Sequence, residues 1–199
     1  MRIPSFDIEC NQPSNEIIEL GAVVGDTKMG LIIAKFSVLI KCSEPLSEWP
    51  KAHCKITDEM LATEGVTLIE GYEKLKSFIT EHCKLKDGEV VNPLTWGGPD
   101  TEMLREQLAR QGRVFAANND RADPKEKFIF GSRSEDVKTI FRALCDANDL
   151  DRLGGLRKSM KRLELKFEGQ THRALPDALN TFLMYCKMLN LIKLGGIRK

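Results

Sequence analysis

The sequence lacks any long apolar run. Apolar stretches such as Leu31 to Ile33 and Phe36 to Ile40 fall far short of the ~20 residues that a membrane-spanning helix needs, so no membrane partner is expected. An apolar leader is missing as well: Asp7 and Glu9 stand where a secretory signal would carry its hydrophobic stretch, and an intracellular, cytoplasmic protein is expected. Charge of one sign is also scarce. Thirty Lys and Arg against 29 Asp and Glu leave a formal net charge of +1, which excludes the global positive field of a protein that coats a polyanion. Any nucleic-acid contact must therefore be local. None of the six cysteines forms a Cys-x-x-Cys pair, and a chain of 199 residues can hold a core without covalent staples, so free thiols are expected. His53-Cys54 and His82-Cys83 place zinc-ligating residue types side by side, but adjacent residues rarely converge on one tetrahedral ion, and no zinc site is assigned. There is no internal repeat and no low-complexity block.

What is present is enough for an ordinary core: 42% of residues are hydrophobic and 30% charged, and a single domain over 1–199 is expected. Glu16 to Val24 and Gly30 to Cys42 are β-branched runs joined by Gly25-Asp26-Thr27-Lys28, which predicts an antiparallel hairpin. Pro45 to Pro50 reads as a loop. Thr57 opens a short helix over 57–61, and apolar residues recurring at helical spacing from Leu68 to Ile79 predict a longer helix over 67–83. Residues 89–96 read as a strand ended by Gly97-Gly98-Pro99, with Asp100 as the cap of a helix through about Arg110. The polar stretch 112–127 reads as a loop insertion, and Phe128-Ile129-Phe130 as a last buried strand. A helix from Ser134, a short helix after Gly154-Gly155, a final helix from Pro176 to Leu189 and a tail over 190–199 complete the chain. Strands followed by alternating strands and helices predict an α/β sheet with helices on its faces.

Three acidic segments carry the chemistry. Asp7 and Glu9 are one residue apart in a strand pattern, so the period of two sends both carboxylates to one face. Asp100 sits at a strand-to-helix junction, where α/β sheets tend to build their sites. In Gln170-Thr171-His172-Arg173-Ala174-Leu175-Pro176-Asp177-Ala178, Pro176 suits a first helical turn, which places His172 in the preceding loop and Asp177 in that turn. Each segment alone has a plainer reading: solvated acids near a chain end, a helix cap, an aspartate at the positive end of a helix dipole. The ordered set is more specific than its parts.

That set, with Phe6-Asp7-Ile8-Glu9, Glu16-Ile-Ile-Glu19-Leu-Gly-Ala-Val, Ile56-Thr57-Asp58-Glu59-Met60-Leu61, Thr95-Trp96-Gly97-Gly98-Pro99-Asp100 and His172-Arg-Ala-Leu-Pro-Asp177-Ala, resembles the DEDDh 3′-to-5′ exonucleases of the DnaQ-like, RNase H-like superfamily. The wording Thr-Trp-Gly-x-x-Asp, and Phe167-Glu168-Gly169 shortly before the histidine, look most like the Eri-type exoribonuclease and KapD branch. The resemblance implies an α/β fold with a mixed five-stranded sheet whose second strand is antiparallel, flanked by helices. It implies Asp7, Glu9, Asp100 and Asp177 as carboxylates for two Mg2+ or Mn2+ ions, and His172 as general base. Hard cations prefer oxygen ligands, two such ions can neutralise a phosphodiester and activate water, and histidine exchanges protons near neutral pH. The implied activity is metal-dependent hydrolysis of single-stranded RNA or DNA 3′ ends to nucleoside monophosphates, with RNA favoured by the branch. A DNA-trimming or proofreading exonuclease and a catalytically weak nuclease-like binding module are the alternatives, and a homodimer is left open.

The resemblance further implies that a residue beside the first acids, Ile8, Cys10 or Asn11, packs on the terminal nucleotide, although Cys10 replaces a commonly small or hydroxylated residue. Pro176 replaces a position that is often acidic, and Pro4 is read as marking the start of the catalytic strand. His53 falls near a substrate-groove position. Of the two tryptophans, Trp96 is expected in the core and Trp49, in a loop, is the candidate platform for base stacking.

Overall fold

A computed structural model describes residues 1–116, 126–152 and 154–195. Five strands form one sheet in the order β3-β2-β1-β4-β5. β1 (Arg2–Cys10), β2 (Ile17–Asp26) and β3 (Leu31–Leu39) make an antiparallel meander, and β4 (Leu94–Thr95) and β5 (Glu135–Asp136) add parallel to it beside β1. This is the mixed α/β sheet with an antiparallel second strand that the family resemblance implied.

β2 is buried along its length except at Asp26, because helices cover both of its faces. β3 alternates exposed and half-buried positions, the pattern of a strand with one wet face. On one side, Phe6, Ile8, Leu20 and Ala22 pack on Tyr72, Leu75 and Ile79 of α3 (Leu68–Cys83) and on Leu104 and Leu108 of α4 (Asp100–Arg110). α3 opens on a reciprocal capping box in which Thr67 and Glu70 bond each other's backbone N–H groups. On the other side, Ile3, Val23 and Leu94 pack on α5 (Val137–Asp146), α6 (Leu156–Arg162) and α7 (Ala174–Gly195) through Phe141, Met160 and Phe182. A smaller cluster of Ile18, Leu39, Leu46, Cys54 and Ile56 lies beneath α1 (Glu48–His53) and α2 (Asp58–Thr63).

Several boundaries differ from expectation. The loop read over Pro45 to Pro50 is already helical from Glu48, since Pro50 falls in the first turn of α1, where its missing N–H costs nothing; Trp49 is therefore a helical residue. The strand read over 89–96 shrinks to Leu94–Thr95, and Phe130 forms only an isolated bridge with Val91, leaving Glu135–Asp136 as the fifth strand. Pro99, not Asp100, is the N-cap of α4. α5 starts at Val137 because Asp136, not Ser134, caps it by accepting from the N–H groups of Lys138 and Thr139. Pro4 lies inside β1 rather than at its start. The parallel partner β4 registers only at Ser5 with Leu94, so no ladder bond is lost on that side. α7 begins two residues before Pro176 and continues through what was read as a tail, to Gly195. Of the expected 112–127 insertion, 117–125 lie outside the described residues, as do 196–199 of the tail.

One close approach sets the position of α7. Gly21 of β2 lies opposite Asp7, and a Cβ there would stand 2.1 Å from the carbonyl carbon of Ala174 and 2.2 Å from the N of Leu175. Those are backbone atoms that cannot swing away. Gly21→Ala should therefore destabilise the fold by about 2 kcal/mol or more in urea unfolding, as overpacking does. Gly155→Ala, whose methyl meets nothing within 4 Å, should stay within about 1 kcal/mol. Equal stability of the two variants would contradict this account of the α7 contact.

Candidate active site

The strand period puts Asp7 and Glu9 on the α7 face of β1, since Phe6 and Ile8 point into the opposite core. Glu19 and Gly21 of β2 face the same way, Glu19 directly opposite Glu9 and Gly21 opposite Asp7. Because Gly21 lets the start of α7 come down onto the sheet, Asp177 in its first turn joins the β1 acids. Carboxylate oxygens of Asp7, Glu9 and Asp177 lie within 4.8 Å of one another. Asp100, first residue of α4, stands beside them and exerts the strongest neighbouring charge on Asp7. A Cβ on Gly98 would come 2.7 Å from Asp100 Oδ1, so the glycine leaves room for that carboxylate.

Crowded acids removed from water favour their neutral forms. Burial, then Asp100, Glu9 and Asp177, hold the Asp7 carboxyl well above the usual range. Burial followed by the charge of Asp177 pushes Glu9 up to about 8, although the Cys54 thiol donates to it at 3.4 Å. Burial pushes Asp100 to about 7, with help from Glu102. Burial also takes Asp177 to about 7 against a hydrogen bond from the His172 backbone N–H. Asp100 Oδ2 is buried with no hydrogen-bond partner among the described residues. A donor set made only of oxygens, mutually repelling and with one orphaned acceptor, fits hard divalent cations such as Mg2+ or Mn2+.

His172 is exposed at the rim of this cluster and takes a left-handed backbone, φ 59°, a conformation a non-glycine residue holds only where its surroundings impose it. Its ring meets Trp49 edge-on at 5.5 Å and His53 at 6.1 Å. His53 in turn stacks on Trp49 at 4.9 Å, with its Nδ1 3.0 Å from the Trp49 carbonyl. Thus the structure brings His172, Trp49 and His53 into one rim. It does not do so for all the candidates beside the first acids. Ile8 is core. Asn11 is 2% exposed, and its amide is consumed by the Pro45 carbonyl, the Ser47 N–H and the Cys42 sulfur. Cys10 is half-buried against the α3 core, and burial pushes its thiol up to about 12. Trp96 packs near Phe141, as expected of a core residue.

Two functional neighbours were not singled out from the sequence. Glu19 is fully buried, and like charges directly opposite across strands repel. Arg173 relieves that repulsion by forking onto Glu19, Nε to Oε2 at 2.9 Å and Nη2 to Oε1 at 2.8 Å, while the Ala174 N–H and the Ser37 hydroxyl donate to the same carboxylate. This buried clasp holds the residues on either side of Arg173 in place. A charged residue inside an otherwise apolar strand was the available signal.

Residues 5–96 match the exonuclease family (RNase_T). Solved structures agree over the rest of the fold. Cell-death related nuclease 4 (CRN-4) superposes with a TM-score of 0.78 at 17% identity, covering 96% of this chain and 64% of that one. The nuclease domain of 3′hExo, described as a DEDDh family member bound to rAMP, gives 0.68 at 18%, with 95% and 90% covered. The Mg2+- and Mn2+-bound form of S. pombe Pop2p gives 0.67 at 16%, with 98% and 86% covered. The chain shares the fold of these nucleases, and just under half of it matches the exonuclease family. No curated protein sequence matches this chain. It spans under two thirds of CRN-4 and 60% of a full-length 3′-exonuclease of the same fold.

The raised carboxyl pKa values carry a sign. The folded protein holds protons that the unfolded chain has released, so cation-free stability should fall as pH rises toward and through 7 to 8. Cations that replace those protons should bind better over the same range. In thermal melts, saturating Mg2+ or Mn2+ should raise Tm by about 5–10 °C at pH 8 and much less at pH 5.5. Asp7→Asn should melt higher than the parent without cation at pH 8 and lose the gain. A full gain in that variant would contradict Asp7 as a ligand.

Proposed function

We propose that this protein is a metal-dependent DEDDh 3′-to-5′ exonuclease of the DnaQ-like superfamily that trims single-stranded nucleic-acid ends, RNA ahead of DNA, to nucleoside monophosphates. The observation that carries the reading is the convergence of Asp7, Glu9 and Asp177 within 4.8 Å, beside the orphaned Asp100 oxygen and the exposed His172. Asp7, Glu9, Asp100 and Asp177 would hold two Mg2+ or Mn2+ ions, whose chemistry when bound is to neutralise the phosphodiester and activate water.

The chain's own residues do the rest. The His172 imidazole takes the proton of the attacking water, free to do so because its ring is at the exposed rim while its backbone N–H is tied to Asp177. The Glu19–Arg173 clasp keeps that loop from drifting. Trp49, 40% exposed and ordered by the His53 stack, offers a face for the terminal base, and stacking of this kind tolerates any base.

A time course on 5′-labelled single-stranded RNA and DNA of one sequence, with Mg2+, Mn2+ or EDTA, tests this. The expected result is a ladder shortening from the 3′ end, faster on RNA, abolished by EDTA and by Asp7→Ala. His172→Ala should keep metal-dependent strand binding and lose about 10²- to 10⁴-fold in rate. A faster DNA ladder would make the protein a DNA trimmer. No ladder on either strand, with binding intact, would make it a binding module and overturn the enzyme reading.

A further inference from the structure

The net charge of +1 hides a local excess. Between residues 157 and 166 there are five cations, Arg157, Lys158, Lys161, Arg162 and Lys166, and one acid, Glu164. α6 buries Leu156, Ser159 and Met160 and turns its four cations to solvent, and Lys166, just beyond the helix, is exposed as well. Charge on a wet helix face is ordinary. Here, however, three of the cations converge. Arg157, Lys161 and Lys166 line one cleft of about 430 Å³ with Phe167, Gln170 and Thr171. Among the described residues none of these three has an ion-pair partner, whereas Arg152 nearby is taken by Asp146.

The cleft adjoins the reaction site through the chain itself, since its wall ends at Thr171 and the next residue is His172. Gln170 reaches across to α1, its Nε2 donating to the His53 carbonyl at 3.1 Å, so the cleft and the Trp49–His53 rim are continuous. The wall is also rigid. Asn180, fully buried in α7, accepts from the Glu168 N–H and donates to the Glu168 carbonyl. Gly169, at φ 82°, folds so close that a Cβ there would lie 3.1 Å from Pro176. Unpaired cations held against a fixed wall are preorganised for a row of anions.

We infer that the α6 cleft of Arg157, Lys161 and Lys166 is a binding site for the phosphate backbone of a single nucleic-acid strand, lying beyond the terminal nucleotide whose bond is cut. The inference rests on the proposed exonuclease activity for its direction, because the strand would run from the acidic cluster past His172 into the cleft. It adds that affinity for a long strand comes from this cleft, and that a substrate too short to reach it gains nothing from it.

The test compares the intact chain with Arg157→Gln/Lys161→Gln/Lys166→Gln and with a charge-matched control, Lys28→Gln/Lys35→Gln/Lys84→Gln, whose lysines are exposed on other parts of the surface. Fluorescence anisotropy reads binding of a labelled 20-nucleotide single strand in Ca2+ at several salt concentrations. Kinetics read hydrolysis of the same strand and of a p-nitrophenyl ester of a 5′-nucleotide in Mg2+ or Mn2+. In the cleft variant the slope of log K against log salt should shrink by about 2, at ~0.7 for each lost phosphate contact. KM for the 20-mer should rise about tenfold or more, with ester kinetics at parent level. The control should keep the parent slope. A cleft variant no different from the control, or a parent chain that does not bind the strand, overturns the inference. Cleft-dependent binding with no hydrolysis of either substrate leaves the cleft standing and overturns the exonuclease reading instead.

Discussion

The close seating of the first turn of α7 on β2 is the contact on which the site depends. It needs a residue without a side chain at Gly21, where any Cβ would run into the Ala174–Leu175 peptide. It also needs Glu19, which receives Arg173 and the Ala174 N–H. Together they bring Asp177 to Asp7 and Glu9 and leave His172 at the rim. Separating β2 and α7 by the thickness of one methyl group would scatter the four groups, though none of them takes part in the contact.

That seating works against strong repulsion. Glu9 and Glu19 are cross-strand neighbours, and Asp7, Asp100 and Asp177 press on the same small volume. The protein resolves the two halves of the problem differently. Glu19 has a permanent partner in Arg173 and serves the architecture. The other acids have no cationic side chain of their own among the described residues; they respond by holding protons, and protons can be exchanged for divalent cations. A buried ion pair contributes little net stability against an apolar substitute, but breaking one partner away is costly. The clasp is therefore better understood as fixing geometry than as supplying stability. A further division of labour runs through the charge distribution, with acids gathered at the α7 face and unpaired cations gathered along α6, in a chain whose total is nearly neutral.

Much of this was legible in the sequence, for identifiable reasons. A period of two is insensitive to where a strand begins, so Asp7 and Glu9 share a face even though β1 starts at Arg2 and not at Pro4. Apolar residues at helical spacing from Leu68 to Ile79 announce α3, because that periodicity is local; the Thr67–Glu70 capping box that opens it was not read. The hairpin of β2 and β3 follows from its β-branched runs. What escaped depends on distant partners. β4 and β5 are two residues each and exist only because β1 offers an edge. Ser134 and Asp136 are both competent caps, and packing of Val137 and Phe141 chooses between them. Asp100 looked like a cap, but Pro99 occupies that place and frees the carboxylate for the acidic cluster. Pro50 suggested a loop and instead sits in the first turn of α1, which turns Trp49 toward His172. Glu19 was read as one letter of a motif; its role is visible only once Arg173, 154 residues later, lies against it.

The measurement that bears most directly on the central claim is anomalous diffraction from crystals soaked in Mn2+ near pH 8. If the α7 seating exists to assemble a cation site, Mn2+ peaks should be enclosed by the carboxylates of Asp7, Glu9 and Asp177, with Asp100 alongside. Peaks confined to other acids on the surface, or none at occupancy at millimolar Mn2+, would contradict the account.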